Sequence, residues 1–330
     1  LLPPRASGQD SSTHDPAAPP RITYLDFALL GVLAVLWGSA YIFIREGIVL
    51  GASPLLFASV RYLFSAAGFA ALAVLRRESI PGRKALLVSA GVGGVFIIGL
   101  YGGLLYWGEQ YTTGGYASVL ASTAPILTVV IAYSLLPSER LSRVALVGLL
   151  LGFAGVVVLV VPALLGGPVG TWPGPFFVLA AFLSAAIGSV WLRRIGGGRQ
   201  GLWQIGTQFG VAGILLGVAG WALPIPKAFP LTTGVWYTLA ALVVFSSVMG
   251  YFVYFTLHHR IGPVRANIVA YLLPLVGVGI GSGLLGEPVT TWEIGGFLIV
   301  VVGLTLILRE SSRRAPDPTT SDPRPGDARN

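Results

Sequence analysis

Two short stretches carry the same costly stripe. SVLASTAP places Ser118, Ser122 and Pro125 at i, i+4 and i+7, and NIVAYLLP places Asn267, Tyr271 and Pro274 at the same spacing, each 149 residues further on. Both stretches sit inside runs apolar enough to cross a bilayer, which takes about 20 residues. Polar groups in hydrocarbon turn toward a bundle interior or a wet cavity, and a buried proline releases a backbone carbonyl that can face a ligand there. Asn267 and Tyr271 favour the cavity because their polar groups are hard to satisfy in a packed seam. For the serines, close helix packing is an equal alternative.

Arg61 is the sharpest feature of this kind. It stands some seven residues into its apolar run, so it lies several ångströms below the membrane surface at about 1.5 Å of rise per residue. A guanidinium at that depth can grip a carboxylate through two parallel hydrogen bonds. Its alternatives are to snorkel outward or to pair with Glu46 or Glu109. Gln208 offers neutral hydrogen bonding at the matching depth of a later run. Trp37, Tyr101, Tyr106, Tyr251 and Tyr254 could build an aromatic wall suited to ring-bearing or cationic molecules, although any one of them could instead be core or lipid-facing. Glu139 and Glu287 each follow a proline-bearing run and are placed to cap, pair or gate; Pro125 and Pro274 are the kink candidates.

The chemistry on offer is recognition rather than bond-making. There is no HExxH, no intramembrane acid pair and no Walker loop, and with no cysteine among 330 residues neither a disulfide nor a thiolate metal site is available. No enzyme activity, cofactor or metal is expected. The net charge of +8 does not point to nucleic acid, because the basic residues are scattered over short connections.

The elements that position these residues follow from hydropathy. The chain is 54% hydrophobic and 10% charged, with a mean hydropathy of +0.80; a soluble protein of this size carries roughly 25% charge. Ten apolar spans are expected at about 26–44, 54–75, 85–107, 113–136, 144–165, 174–192, 202–223, 234–257, 264–285 and 289–308. Residues 1–23 and 310–330 are polar and proline-rich and read as disordered cytoplasmic tails. With the N-terminus inside, 18 of the 21 Lys and Arg fall on the cytoplasmic side and only Arg45 and Lys227 outside, as the positive-inside rule requires. Trp107, Trp172, Trp221, Trp236 and Trp292 then mark the outer interface.

Further echoes extend the repeat. Gly38-Ser39 returns as Gly188-Ser189, Tyr101 as Tyr251, Glu139 as Glu287 and Gly155 as Gly303, at shifts of 148 to 150 residues. The chain therefore divides into 24–166 and 167–309, five helices each. Five is odd, so the second copy enters the membrane upside down, an inverted-repeat architecture with its site between the halves near the midplane. Gly148 and Gly152 form a G-x-x-x-G pair, explained by close packing or by a homodimer.

WGSAYIFIREG, the run ASVLASTAPILTVVIAYSLLPSERL, the closing GLLLGFAGVVVLV and the later echo YLLPLVGVGIGSGLLGEPVTTWEIGGFLIVVVG resemble the EamA group of the drug/metabolite transporter superfamily. The resemblance covers residues 24 to 308. It implies a ten-helix, basket-like exporter in a bacterial cytoplasmic (inner) membrane. Helices 1–4 and 6–9 would line its cavity, and its substrates would be small metabolites, amino acids first, with toxic cations or drugs as the alternative.

Overall fold

In the computed structural model, residues 23–135, 143–195, 200–261 and 269–313 are described. α1 spans Tyr24–Val49, α2 Pro54–Leu75 and α3 Arg83–Gly108; α4 runs as Gly114–Ala121 and, beyond a break at 122–123, Ala124–Leu135. α5 is Arg143–Leu164, α6 Pro173–Arg194, α7 Leu202–Ala222, α8 residues 233–261, α9 Val269–Leu285 and α10 Thr291–Arg313. Seven of these are long and apolar enough to cross a membrane, and the shorter apolar helices Leu146–Leu159, Leu272–Leu285 and Thr291–Leu306 account for α5, α9 and α10. The fold is all-α and multi-pass. The expected tails fall almost wholly outside the described residues, although α10 itself continues to Arg313.

Local signals set the helix starts. Pro54 occupies the first turn of α2, where its missing N–H costs nothing. Thr113 and Thr232 accept from the N–H groups of Tyr116 and Val235 and cap α4 and α8, which satisfies donors that have no partner inside the helix. The break in α4 falls where Ser122 and Thr123 turn their hydroxyls back to Val119 and Leu120, just before Pro125.

Packing follows the repeat. α1 lies on α9 and α8, as α6 lies on α4 and α3; α2 pairs with α7, α4 with α9 and α5 with α10; and α3 meets α7 as α8 meets α2. A shift of five helices maps each of these pairings onto itself or onto another of the set. Both α3 and α8 contain a π-helical stretch, at 89–100 and 242–249, a correspondence that the residue echoes did not show.

The bundle has two tied ends. At the end carrying Tyr24, the terminal end, Arg260 bonds Asp26 at 2.6 Å, and Glu78 accepts from Leu202 N–H and Trp203 Nε1. At the opposite, distal end, Arg45 donates to the carbonyls of Glu109 and Gln110 at 2.6 and 3.1 Å, and Ser53 N–H donates to Ala228. There the Glu287 carboxylate accepts from the N–H groups of Gly114 and Gly115 at 3.1 and 2.8 Å.

Glu287 thus fastens the end of α9 to the first turn of α4, whose N–H groups have no acceptor inside the helix and favour an anion. Hydrogen bonds to a charged group contribute about 1.5–3 kcal/mol each. Glu287→Ala is therefore expected to loosen the distal end. A Ser53→Cys reporter, the only thiol in the chain, should then react several times faster with an impermeant maleimide; an unchanged rate would show that Glu287 does not hold this end shut.

Candidate functional site

Arg61 lies on the α2 face that also carries Tyr62, Ser65 and Phe69, and it is 8% exposed. Its Nη1 donates to Tyr106 Oη at 2.9 Å, Nη2 to Ser246 Oγ at 2.9 Å and Nε to Ser247 Oγ at 3.4 Å. The Tyr62 and Tyr106 rings lie 5.5 and 6.0 Å from its guanidinium carbon. Among the described residues it pairs with no carboxylate, neither Glu46 nor Glu109, and it does not snorkel outward. A buried charge held only by neutral hydroxyls and ring faces is incompletely compensated, so the arrangement favours an incoming anion.

The π-helical stretch of α8 supplies the two serines. Its wider turn reduces the angle between successive side chains, so Ser246 and Ser247 both address the same guanidinium. The Ser246 carbonyl also accepts from Trp37 Nε1 at 3.1 Å. On the α3 side, Gly102 admits Tyr62: a Cβ there would run into the Tyr62 hydroxyl.

Toward the terminal end from Arg61 stands a layer of aromatic rings. Phe209 lies 5.4 Å from Tyr62, 5.3 Å from Phe69 and 5.5 Å from Tyr251, and Phe69 meets Tyr251 at 6.0 Å. Beyond this layer a cavity of ≈ 250 Å³ is lined by Phe69, Arg76, Glu78, Gln200, Phe252 and Thr256 among others. Trp37 extends the cluster onto Tyr251 and Tyr254, at 5.6 and 5.2 Å.

The other sequence candidates fall elsewhere or outside view. Tyr101 packs on Phe182 of α6 at 5.5 Å, the counterpart of Tyr251 on Trp37 of α1. Gln208 sits in the α3–α7 seam, where its amide donates to Ser89 and Gln200. Ser118 donates to Gly115 and lies against Gly277 of α9. Pro125 stands in the first turn of the second segment of α4 and Pro274 lies inside α9. Asn267, Glu139 and the Tyr271 side chain lie outside the described residues. Ser246, Ser247, Phe69 and Phe209 were not singled out from the sequence, although adjacent serines inside an apolar run were a usable signal. No group of three or more metal-ligating side chains occurs among the described residues.

Two segments, 27–161 and 172–309, match the EamA-like transporter family. The uncharacterized inner membrane transporter YedA of Escherichia coli (strain K12) is 29% identical, over 85% of this chain and 90% of that protein. A probable amino-acid metabolite efflux pump of Salmonella typhimurium is 26% identical, over 83% of this chain and 91% of its own. A solved crystal structure superposes with a TM-score of 0.59 at 20% identity, covering 88% of this chain and 98% of the other, a likeness that speaks for the fold alone. The family match spans most of both halves, and the chain belongs to the EamA-like transporter family, membrane transporters of small molecules rather than enzymes.

Proposed function

We propose that the chain exports carboxylate-bearing small metabolites, amino acids first, across a bacterial inner membrane. The observation that carries this reading is Arg61, a buried guanidinium whose described partners are all neutral. A substrate carboxylate would supply the missing counter-charge in a two-pronged grip, while the surrounding rings take an apolar side chain. The names of the E. coli and Salmonella relatives, an inner membrane transporter and an amino-acid metabolite efflux pump, support the compartment and the substrate class.

The cycle would be alternating access between two inverted five-helix halves, with both termini cytoplasmic as the loop charges require. This arrangement then corresponds to a distal side shut by Glu287 and Arg45 and a terminal-side cavity stopped short of Arg61 by Phe69, Phe209 and Tyr251. Substrate would enter from that cavity, part the aromatic layer and dock on Arg61; rocking of the halves would open the distal side.

Efflux of toxic cations is the second reading, favoured by the Trp37–Tyr251–Tyr254 cluster. A cation about 5 Å from Arg61 would meet roughly 3 kcal/mol of repulsion at an effective dielectric near 20, which disfavours it by about a hundredfold. Counterflow in proteoliposomes loaded with a mixed metabolite pool tests the choice. Labelled amino acids should exchange, and their amides and amines should not; exchange of amines alone would discard the carboxylate reading.

A further inference from the structure

We propose that Glu109 is a proton-binding residue that couples closure of the distal end to proton uptake. The inference rests on the alternating-access reading above.

Glu109 ends α3 at the distal face, just beyond the membrane-spanning segment, and it is 0% exposed. Neither carboxyl oxygen has a hydrogen-bond partner among the described residues. Arg45, the nearest cation, spends its Nη1 on the backbone carbonyls of Glu109 and Gln110 rather than on the carboxyl. An unpaired carboxylate in such a place is costly, and a neutral carboxyl far less so.

The charged and titratable groups around it do not alter this. α1 contributes Arg45 and Tyr41, α2 contributes Arg61 and Tyr62, α3 contributes Tyr106, and the connection after α9 contributes Glu287. From α6, Val178, Phe177 and Gly174 lie against Gly108, where an added Cβ would meet them within about 3 Å. Burial pushes the Glu109 carboxyl well above the usual carboxylate range; the attraction of Arg45 is smaller, and Glu287 acts in the upward direction.

The same contacts that close the distal end bury Glu109. Arg45 and Glu287 fasten α1, α4 and the end of α9 around it, so opening that end would bring water to the carboxyl and return it toward about 4.3. The sign follows: between the open-state and closed-state values, closing binds one proton from water and opening returns it, so acid favours the closed arrangement and alkali the open one. No other co-reactant is needed.

The full-length chain in proteoliposomes, carrying Ser53→Cys as the only thiol, provides the test. Impermeant maleimide labelling is compared between Glu109 and Glu109→Gln backgrounds at each pH, so that the thiol's own ionisation cancels in the ratio. From about pH 5 to about pH 8.5 the ratio of native to Gln labelling should rise at least about fivefold. Glu109→Asp should keep part of the rise. Superimposable profiles would overturn the assignment, as would a reporter thiol that stays protected in both backgrounds at every pH. Counterflow by the chain with native Glu109 separates the two failures: transport with coincident profiles removes Glu109 alone, whereas absent counterflow removes the transport reading as well.

Discussion

Arg61→Gln is expected to raise the KM for a carboxylate-bearing substrate about a hundredfold while leaving the folded bundle intact. Two charge-assisted hydrogen bonds to one carboxylate contribute about 3 kcal/mol beyond what a neutral amide offers, and each 1.4 kcal/mol is about tenfold in affinity. The fold should survive because the change removes a buried charge instead of orphaning one. The glutamine amide can still address the hydroxyls of Tyr106, Ser246 and Ser247, which now accept from Arg61. Arg61→Lys keeps the charge but loses the planar fork, so it should fall between the two. The decisive comparison is a substrate against its amide. The native protein should separate them widely and Arg61→Gln should not, because the amide never used the guanidinium. If the variant transports both as the native protein does, the guanidinium has no part in recognition.

The spans were legible because hydropathy responds to the membrane directly. Ten apolar runs separated by charged or Gly/Pro-rich breaks leave little freedom in counting helices, and the observed ends differ mainly by about a turn, as where α1 continues to Val49. The burial of Arg61 was legible for a related reason: a guanidinium in an apolar run has few places to go. Its partners were not. Tyr106 could be named as an aromatic, but that its hydroxyl meets Arg61 depends on how α3 lies against α2, with Gly102 giving Tyr62 its room. Ser246 and Ser247 converge because α8 widens into a π-helical stretch, and no residue spacing announces that. Glu109 shows the opposite limit. From the sequence it entered only as a pairing candidate for Arg61, and the assembled connections, with Arg45 on its carbonyl and Glu287 across on α4, take it out of water.

The glycines of α5 and α10 show how local a stability effect in this fold should be. Gly155 and Gly303, equivalent in the two halves, sit on one seam: a Cβ on Gly303 would lie 2.5 Å from the Gly148 carbonyl oxygen and 2.6 Å from Gly152 N, and one on Gly155 would lie 2.8 Å from Val300 N. The neighbours are backbone, so no rotamer change can make room. The G-x-x-x-G face of α5 is met within the same chain, by Gly303 of α10 and, at Gly152, by Ile126 of α4. In lipid such a seam is held by close packing rather than by a hydrophobic driving force, so separating the helices forfeits most of what joins them. Overpacking costs about 1–3 kcal/mol even where side chains can yield. Gly303→Leu, with nothing to yield, should exceed that range and release α10 from α5. Gly295→Leu is the matched control, since on the same helix its Cβ would meet nothing within 4 Å. Thermal unfolding in detergent, followed by the loss of the monodisperse species, should show a large fall in midpoint for Gly303→Leu and almost none for Gly295→Leu. Equal midpoints would mean that the seam contributes little and that α10 is retained by its connection to α9 alone.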